Sequence, residues 1–458
     1  MIQRAAIQHR PLSSDAYAIN ENLLVIRLRT APNNLRRVVL HHGDTAFRGN
    51  PVEFTQVAMS RVAGDDLFDH YEVRITSPHR RTVYCFELIA EDERRYYYAG
   101  EFYDDISLDR NDLFKFPYLR REDIYTPPAW LADAIIYNIF PDSFVDDDAT
   151  PDRIITVDGH PVRNRLGGTL SAIRNRLDYI QDLGFNTIYL NPVFTAGEYH
   201  KYDVIDYKRI DPLIGTETEF KELVETCHSR GMRVIIDGVF NHSGWHFFAF
   251  QDVLRHQEQS IYRDWFYDLE FPVVVPDTYQ QKPPYACFGY ERNMPKLNTG
   301  HPDVIRYFTE VSKHWIEGFD IDGWRLDVAD EVDVAFWRSF AEASKAVKRD
   351  LAIIGEVWQD ASFYLDQGVF DSAMNYDFRK HSRAFFADDT LDAWQFAARM
   401  NRLTRRYREQ HAHVQLNLLD SHDVPRFLSH VNGDKRRYRL AVLLLMTSVG
   451  VPSVLYGD

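Results

Sequence analysis

Several apolar runs of this chain end on an acid. One run ends Trp324-Arg325-Leu326-Asp327, another Gly355-Glu356-Val357-Trp358, and a third leads into Ser421-His422-Asp423; a fourth ends Asp237-Gly238-Val239-Phe240-Asn241-His242. An isolated acid at a strand end is an ordinary capping or salt-bridging residue. Four such ends, usually beside a His or an Arg, point to catalysis. Two carboxyl groups in different protonation states can split one job, the first attacking an anomeric carbon while the second protonates the leaving oxygen, which is the chemistry of glycoside hydrolysis. Crowding carboxylates raises the pKa of at least one and so supplies the proton donor. Arg325 precedes Asp327 by two residues, so in an extended strand both side chains leave the same face, and the cation is expected to keep Asp327 ionised. On these residues alone a second reading stays open, a metal-dependent barrel hydrolase with His242 and His422 as ligands. Against it, the histidines form no compact cluster and Arg325 sits where a metal cation would be repelled.

The elements needed to bring these residues together follow from the pattern of apolar segments. Eight buried-type strands are expected at 134–140, 187–193, 233–240, 323–328, 352–358, 372–376, 414–420 and 453–456, separated by helical stretches. Thr216 and Glu219 form a capping box for one helix, which Gly231 should stop. Alternating strands and helices in this number fit an α/β fold of the (β/α)8 TIM-barrel type, with active residues at the C-terminal strand ends. The connection between the third and fourth strands is too long for a loop and reads as an inserted subdomain at about 243–300. Residues 1–124 alternate differently: Leu24, Ile26 and Leu28 interleave with Val25, Arg27 and Arg29, and turn clusters follow at short intervals, as in an all-β sandwich. The expected domains are therefore an N-terminal β-sandwich at 1–124 and a barrel at 125–458. The chain ends at Asp458 directly after the eighth strand, with the last barrel helix and any C-terminal β-domain absent.

A formal net charge of −15 disfavours nucleic acid and anionic membrane surfaces as partners. Cys85, Cys227 and Cys287 lie far apart without metal-ligand spacing, which suggests free thiols in a reducing compartment. The N-terminus has no apolar run of signal-peptide length and no stretch approaches a membrane span, so a cytoplasmic location is expected. The aromatic content of 14% suits large cores and also flat platforms for sugar rings.

The four strand-end segments resemble the conserved regions of the α-amylase family, glycoside hydrolase family 13, and the resemblance runs over essentially the whole chain. It implies that Asp327 is the nucleophile, Glu356 the general acid/base and Asp423 the acid that binds sugar hydroxyls in the transition state, with retention of configuration. His242, Arg325 and His422 fall on the family's substrate-binding positions. Tyr202, in His200-Lys201-Tyr202-Asp203, falls where an aromatic ring stacks beneath the glucose beside the scissile bond, and Trp358 would line the next subsite. Met294-Pro295-Lys296-Leu297-Asn298 is similar to the fifth region of the neopullulanase, cyclomaltodextrinase and maltogenic amylase group. The N-terminal β-domain is similar to that group's starch-binding-type domain, which implies a homodimer in which the domain narrows the partner's cleft. The implied substrates are cyclodextrins, pullulan or short maltodextrins cut at α-1,4 bonds, with transglycosylation as a side reaction. The alternatives are an α-glucosidase or transglycosylase of the same family, or a non-catalytic dextrin-binding fragment; all three carboxylates being present favours an enzyme. Asp146, Asp148 and Asp152 resemble a calcium loop of some relatives, although Pro151 stands where a ligand with a side-chain oxygen is usual, and a solvated acidic turn fits them equally. No organic cofactor is implied.

Overall fold

The computed structural model describes residues 1–145, 155–157, 160–162, 166–274 and 281–458. They form two compact units, the first made of Met1–Thr126 with Asp388–His413, the second of Pro127–Ala387 with Val414–Asp458.

The second unit is built on a closed parallel barrel of eight strands: Ile136–Ile139, Thr187–Leu190, Arg233–Gly238, Gly323–Leu326, Ala352–Gly355, Ser372–Asn375, Leu416–Leu418 and Val451–Leu455. The last pairs with the first through Ile136 and Ser453, which closes the ring. The first five are buried on both faces, which is why they read as continuous apolar runs in the sequence. One set of side chains, including Tyr189, Ile235, Ile354, Met374 and Leu416, fills the barrel interior. The helices between strands start where their sequence says they should. Thr216 and Glu219 close the capping box on Glu217–Ser229. That helix ends in a Schellman arrangement, with Gly231 N donating to His228 O, Met232 N to Cys227 O, and Gly231 at φ +72°. Asp333 caps the start of Val334–Val347, its side chain accepting from Ala335 N. The insertion after the third strand holds the helix Phe248–His256, and its distal end is tied back by β-bridges from His242 to Lys296 and from Phe266 to Leu297.

The first unit contains two antiparallel sheets. Leu23–Thr30 lies between Ala16–Asn20 and Asp69–Thr76 in one, and Thr82–Ile89 lies beside Arg37–Gly43 and Arg94–Tyr98 in the other. Leu24, Ile26, Leu28, Val38, Leu40, Tyr84 and Phe86 share its core. Here the structure departs from the alternation expected of Leu23–Thr30. Val25 is fully buried and Arg27 only 9% exposed, although both were expected to face outward. The reason is that Asp388–His413, expected to belong wholly to the barrel, is part of this unit. Arg27 Nη1 donates to Tyr407 O at 3.0 Å, and Glu72 accepts from both Arg27 Nε at 2.9 Å and Arg405 Nη1 at 3.1 Å. A strand covered on both faces loses the period-two signal on its outer side. Among the described residues no helix is long and apolar enough to cross a membrane, and the three cysteines are unpaired, with Cys85 and Cys227 buried.

Candidate active site

The C-terminal ends of the strands converge on Arg325. This guanidinium has no exposed surface, a costly placement for a cation unless carboxylates surround it. They do. Its Nη1 donates to Asp237 Oδ1 and Oδ2 at 3.0 and 3.1 Å and to Asp327 Oδ1 at 2.8 Å. Its Nη2 lies 2.8 Å from Glu356 Oε1, an ion contact outside hydrogen-bond alignment. One planar group thus touches acids from the third, fourth and fifth strands. The place a metal ion would take among these acids is filled by Arg325.

One cation cannot hold three buried carboxylates ionised. Burial pushes Asp327 well above the ordinary carboxylate range; Arg325 pulls it down, while Glu356 and Asp237 push with the burial. Asp237 is raised for the same leading reason, again opposed by Arg325. The expectation that Arg325 keeps Asp327 ionised is therefore incomplete, because the guanidinium is shared among three acids. Asp423, at the seventh strand end, is raised to about 6, first by burial, with Arg325 opposing and Glu356 and Asp237 adding.

The backbone contributes to the same geometry. Val328 follows Asp327 at φ +45°, a left-handed conformation rare for a β-branched residue, and its N–H donates to Glu356 Oε2 at 2.9 Å. Tyr376 donates its hydroxyl to Glu356 Oε1 at 3.2 Å. Gly355 lets Glu356 pass the Phe370 ring, whose nearest carbon would lie 2.5 Å from an added Cβ.

The other expected residues gather around these acids. Tyr202 donates to Asp237 Oδ2 at 2.8 Å and its hydroxyl lies 2.6 Å from His422 Nε2. His422 lies 3.3 Å from Asp423 Oδ1. His242 sets Nε2 3.2 Å from Tyr202 O and stacks on Phe288, and its burial lowers its pKa to about 3, so the ring is neutral. Trp358 is half exposed and stacks on Tyr376 at 3.9 Å between centroids. A cavity of about 450 Å³ opens over this set, walled by Tyr202, His242, Phe288, Met294, Asp327, Glu356, Trp358 and Asp423 among others. A second cavity of about 470 Å³ shares His200, Tyr202 and Asp423 with it and runs on to Arg426 and Tyr456. A larger one, about 630 Å³, lies in the first unit, lined by Asp44, which is tied to Arg81 at 2.7 Å, and by Glu53.

Asp146, Asp148 and Asp152 lie outside the described residues. Sequence reasoning gave no role to Asp237, Tyr376, Phe288 or Val328. Asp237 stood in plain view at a strand end. Tyr376 follows the sixth strand, which ends on no acid and so drew no notice.

Residues 138–458 match the α-amylase catalytic domain family and residues 1–120 the α-amylase N-terminal Ig-like domain family. The chain is 40% identical over 457 residues to a cyclomaltodextrinase of Bacillus sp., covering 99% of this chain and 81% of that protein. It is 39% identical to neopullulanase 2 of Thermoactinomyces vulgaris, over 99% of this chain and 77% of the relative. It is 35% identical to an intracellular maltogenic amylase of Bacillus subtilis (strain 168), covering all of this chain and 78% of that protein. A solved cyclomaltodextrinase matches with a TM-score of 0.92 at 38% identity, over all of this chain and 78% of that one.

Proposed function

The chain belongs to the α-amylase family and is a glycosidase, and from that premise we propose that it hydrolyses α-1,4-glucosidic bonds of cyclodextrins, pullulan or short maltodextrins through a covalent glycosyl-enzyme. The observation that carries this reading is the single Arg325 guanidinium bridging Asp327 and Glu356, at 2.8 Å from each, two acids that line the cavity. Two acids held to one rigid fork are positioned for nucleophile and proton donor. Asp327 attacks the anomeric carbon. Glu356 protonates the leaving oxygen as general acid, then takes a proton from the water that releases the sugar. Tyr202 forms the platform under the reacting ring, Asp423 and the neutral His422 and His242 take its hydroxyls, and Trp358 borders the leaving side. Arg325 keeps charge within the site balanced as the proton leaves. The test is reducing-sugar release from β-cyclodextrin and pullulan, with the anomer of the first product read by NMR; an inverted product overturns the covalent step.

We propose further, on the match of residues 1–120 to the family's N-terminal Ig-like domain, a homodimer in which this domain narrows the partner's cleft and favours small or cyclic substrates over starch. Free thiols at Cys85 and Cys227, together with the relative named as intracellular, support a cytoplasmic location. Calcium at Asp146, Asp148 and Asp152 rests on the acidic sequence alone. If it binds there, a chelator lowers the melting temperature, since the ion stabilises by binding only the folded form; unchanged melting leaves an acidic turn.

A further inference from the structure

Tyr202, the platform under the reacting ring, is held at its two ends by different means. Its hydroxyl is fixed within the acid cluster by Asp237 and His422. Its backbone lies in the loop 197–203, which joins the paired strands Phe194–Ala196 and Val204–Ile210. Bonds inside the loop give it shape: Glu198 N donates to Asp203 Oδ1 at 3.1 Å, Lys201 N to Glu198 O at 3.2 Å, and Tyr202 N to His200 Nδ1 at 3.0 Å. Its place is set by side chains that leave the loop or enter it. His242 meets Tyr202 O from the third strand end. Lys201 turns back toward the base of the hairpin, where its Nζ lies 2.8 Å from Asp211 Oδ2, with both side chains buried. Asp211 is itself fixed there. Its Oδ2 accepts from Ala196 N at 3.2 Å, its Oδ1 from Leu213 N at 2.9 Å, and its own N–H donates to Val193 O at 2.9 Å.

Two features give this pair more than a packing role. Lys201 has φ +62°, the left-handed conformation, immediately before Tyr202. A residue with a Cβ stays in that conformation where its surroundings over-determine it. A buried ion pair, moreover, adds little net stability over apolar side chains of similar size, because desolvation offsets the attraction; what it can add is a single geometry. We propose that Lys201 and Asp211 are positioning residues that tether the Tyr202 loop, so that the platform stands at the depth the reacting sugar requires. They act from behind the wall: His200 and Tyr202 line the two cavities at the strand ends, and Lys201 and Asp211 do not. The inference rests on the reading of Tyr202 as the sugar platform.

The test is the inhibition constant of acarbose for the full chain. The flattened ring of this inhibitor mimics the reacting sugar, and Ki reports on each folded molecule whatever fraction has folded. Tyr202→Ala sets the scale for loss of the platform. Lys201→Met keeps the length of the stem and the backbone strain but removes the cation. It should raise Ki about tenfold or more, toward the value for Tyr202→Ala, and lower the melting temperature by leaving Asp211 buried without its cation. Lys201→Met combined with Asp211→Asn removes both charges. This double variant should recover most of the lost melting temperature while Ki stays raised, and it serves if Lys201→Met does not fold. A raised Ki in Tyr202→Ala with a Ki within about twofold of wild type in the double variant overturns the tether and leaves the pair purely structural. An unmoved Ki in Tyr202→Ala overturns the platform reading instead, and the tether with it.

Discussion

At the scale of single residues, the site is an ion cluster before it is a catalyst. Arg325 spends all its charge on Asp237, Asp327 and Glu356, so removing it strands buried carboxylates. Arg325→Ala is expected to cost about 3–5 kcal/mol of stability, read by denaturant unfolding, because an uncompensated buried charge is what remains. Asp327→Asn should leave the melting curve near that of the wild type, since Arg325 keeps two of its three acids. It should lower kcat by about 10⁴-fold or more if Asp327 is the nucleophile; near-normal turnover removes Asp327 from the mechanism. If Asp423 takes sugar hydroxyls, its carboxyl, raised to about 6, must be ionised to accept them well, and kcat/KM should fall as pH drops through that value. An Asp423→Asn variant should have a weaker site and no such limb. These acids were legible in the sequence because each ends an apolar run. The sharing of one guanidinium among three of them was not, because pairing across strands depends on barrel closure, and no local pattern encodes it.

At the scale of elements, strand ends aim side chains and glycines make room for them. Gly355→Ala would press a methyl group against Phe370, with the nearest ring carbon 2.5 Å from the new Cβ, directly before Glu356. Overpacking of that kind costs about 1–3 kcal/mol, and the strain is released partly by moving Glu356. The expected result is a lower melting temperature with kcat reduced more than KM is changed; unchanged kcat would mean that Phe370 yields and the strand does not. The eight barrel strands were readable as apolar runs because parallel strands are covered on both faces, and their helices because caps such as Thr216 and Asp333 are local chemistry. The helix Ala393–Arg406 carries a local start signal, the capping box of Asp392 and Gln395, but no local signal for its destination. Periodicity shows that a helix has an apolar face without naming the surface that face meets. The ion pairs of Arg402 with Asp65 and Arg405 with Glu72, both within the first unit, join residues more than three hundred positions apart.

At the scale of the whole molecule, that destination changes how the role of the N-terminal domain can be tested. Deleting residues 1–124 would be the obvious way to ask whether this domain makes the dimer and narrows the cleft. Asp388–His413 belongs to the same compact unit, however, and the deletion would take away Asp65 and Glu72 while leaving Arg402 and Arg405 behind. It would also uncover the surface that buries Tyr407 and Leu403, both 7% exposed. The truncated chain is expected to aggregate, and its behaviour would report on exposed apolar surface and unpaired arginines instead of assembly. The full chain has to be used. If the domain narrows a partner's cleft, the full chain sediments as a dimer at micromolar concentration. Its preference for β-cyclodextrin over soluble starch should then decline on dilution toward nanomolar concentration, in step with the monomer fraction, because mass action separates the partners while every catalytic group stays in place. A chain that is monomeric at micromolar concentration and still prefers cyclodextrin would shift the origin of selectivity to the insertion after the third strand. That insertion sets Phe288 and Met294 in the wall of the same cavity as Asp327 and Glu356, and needs no second chain to do so.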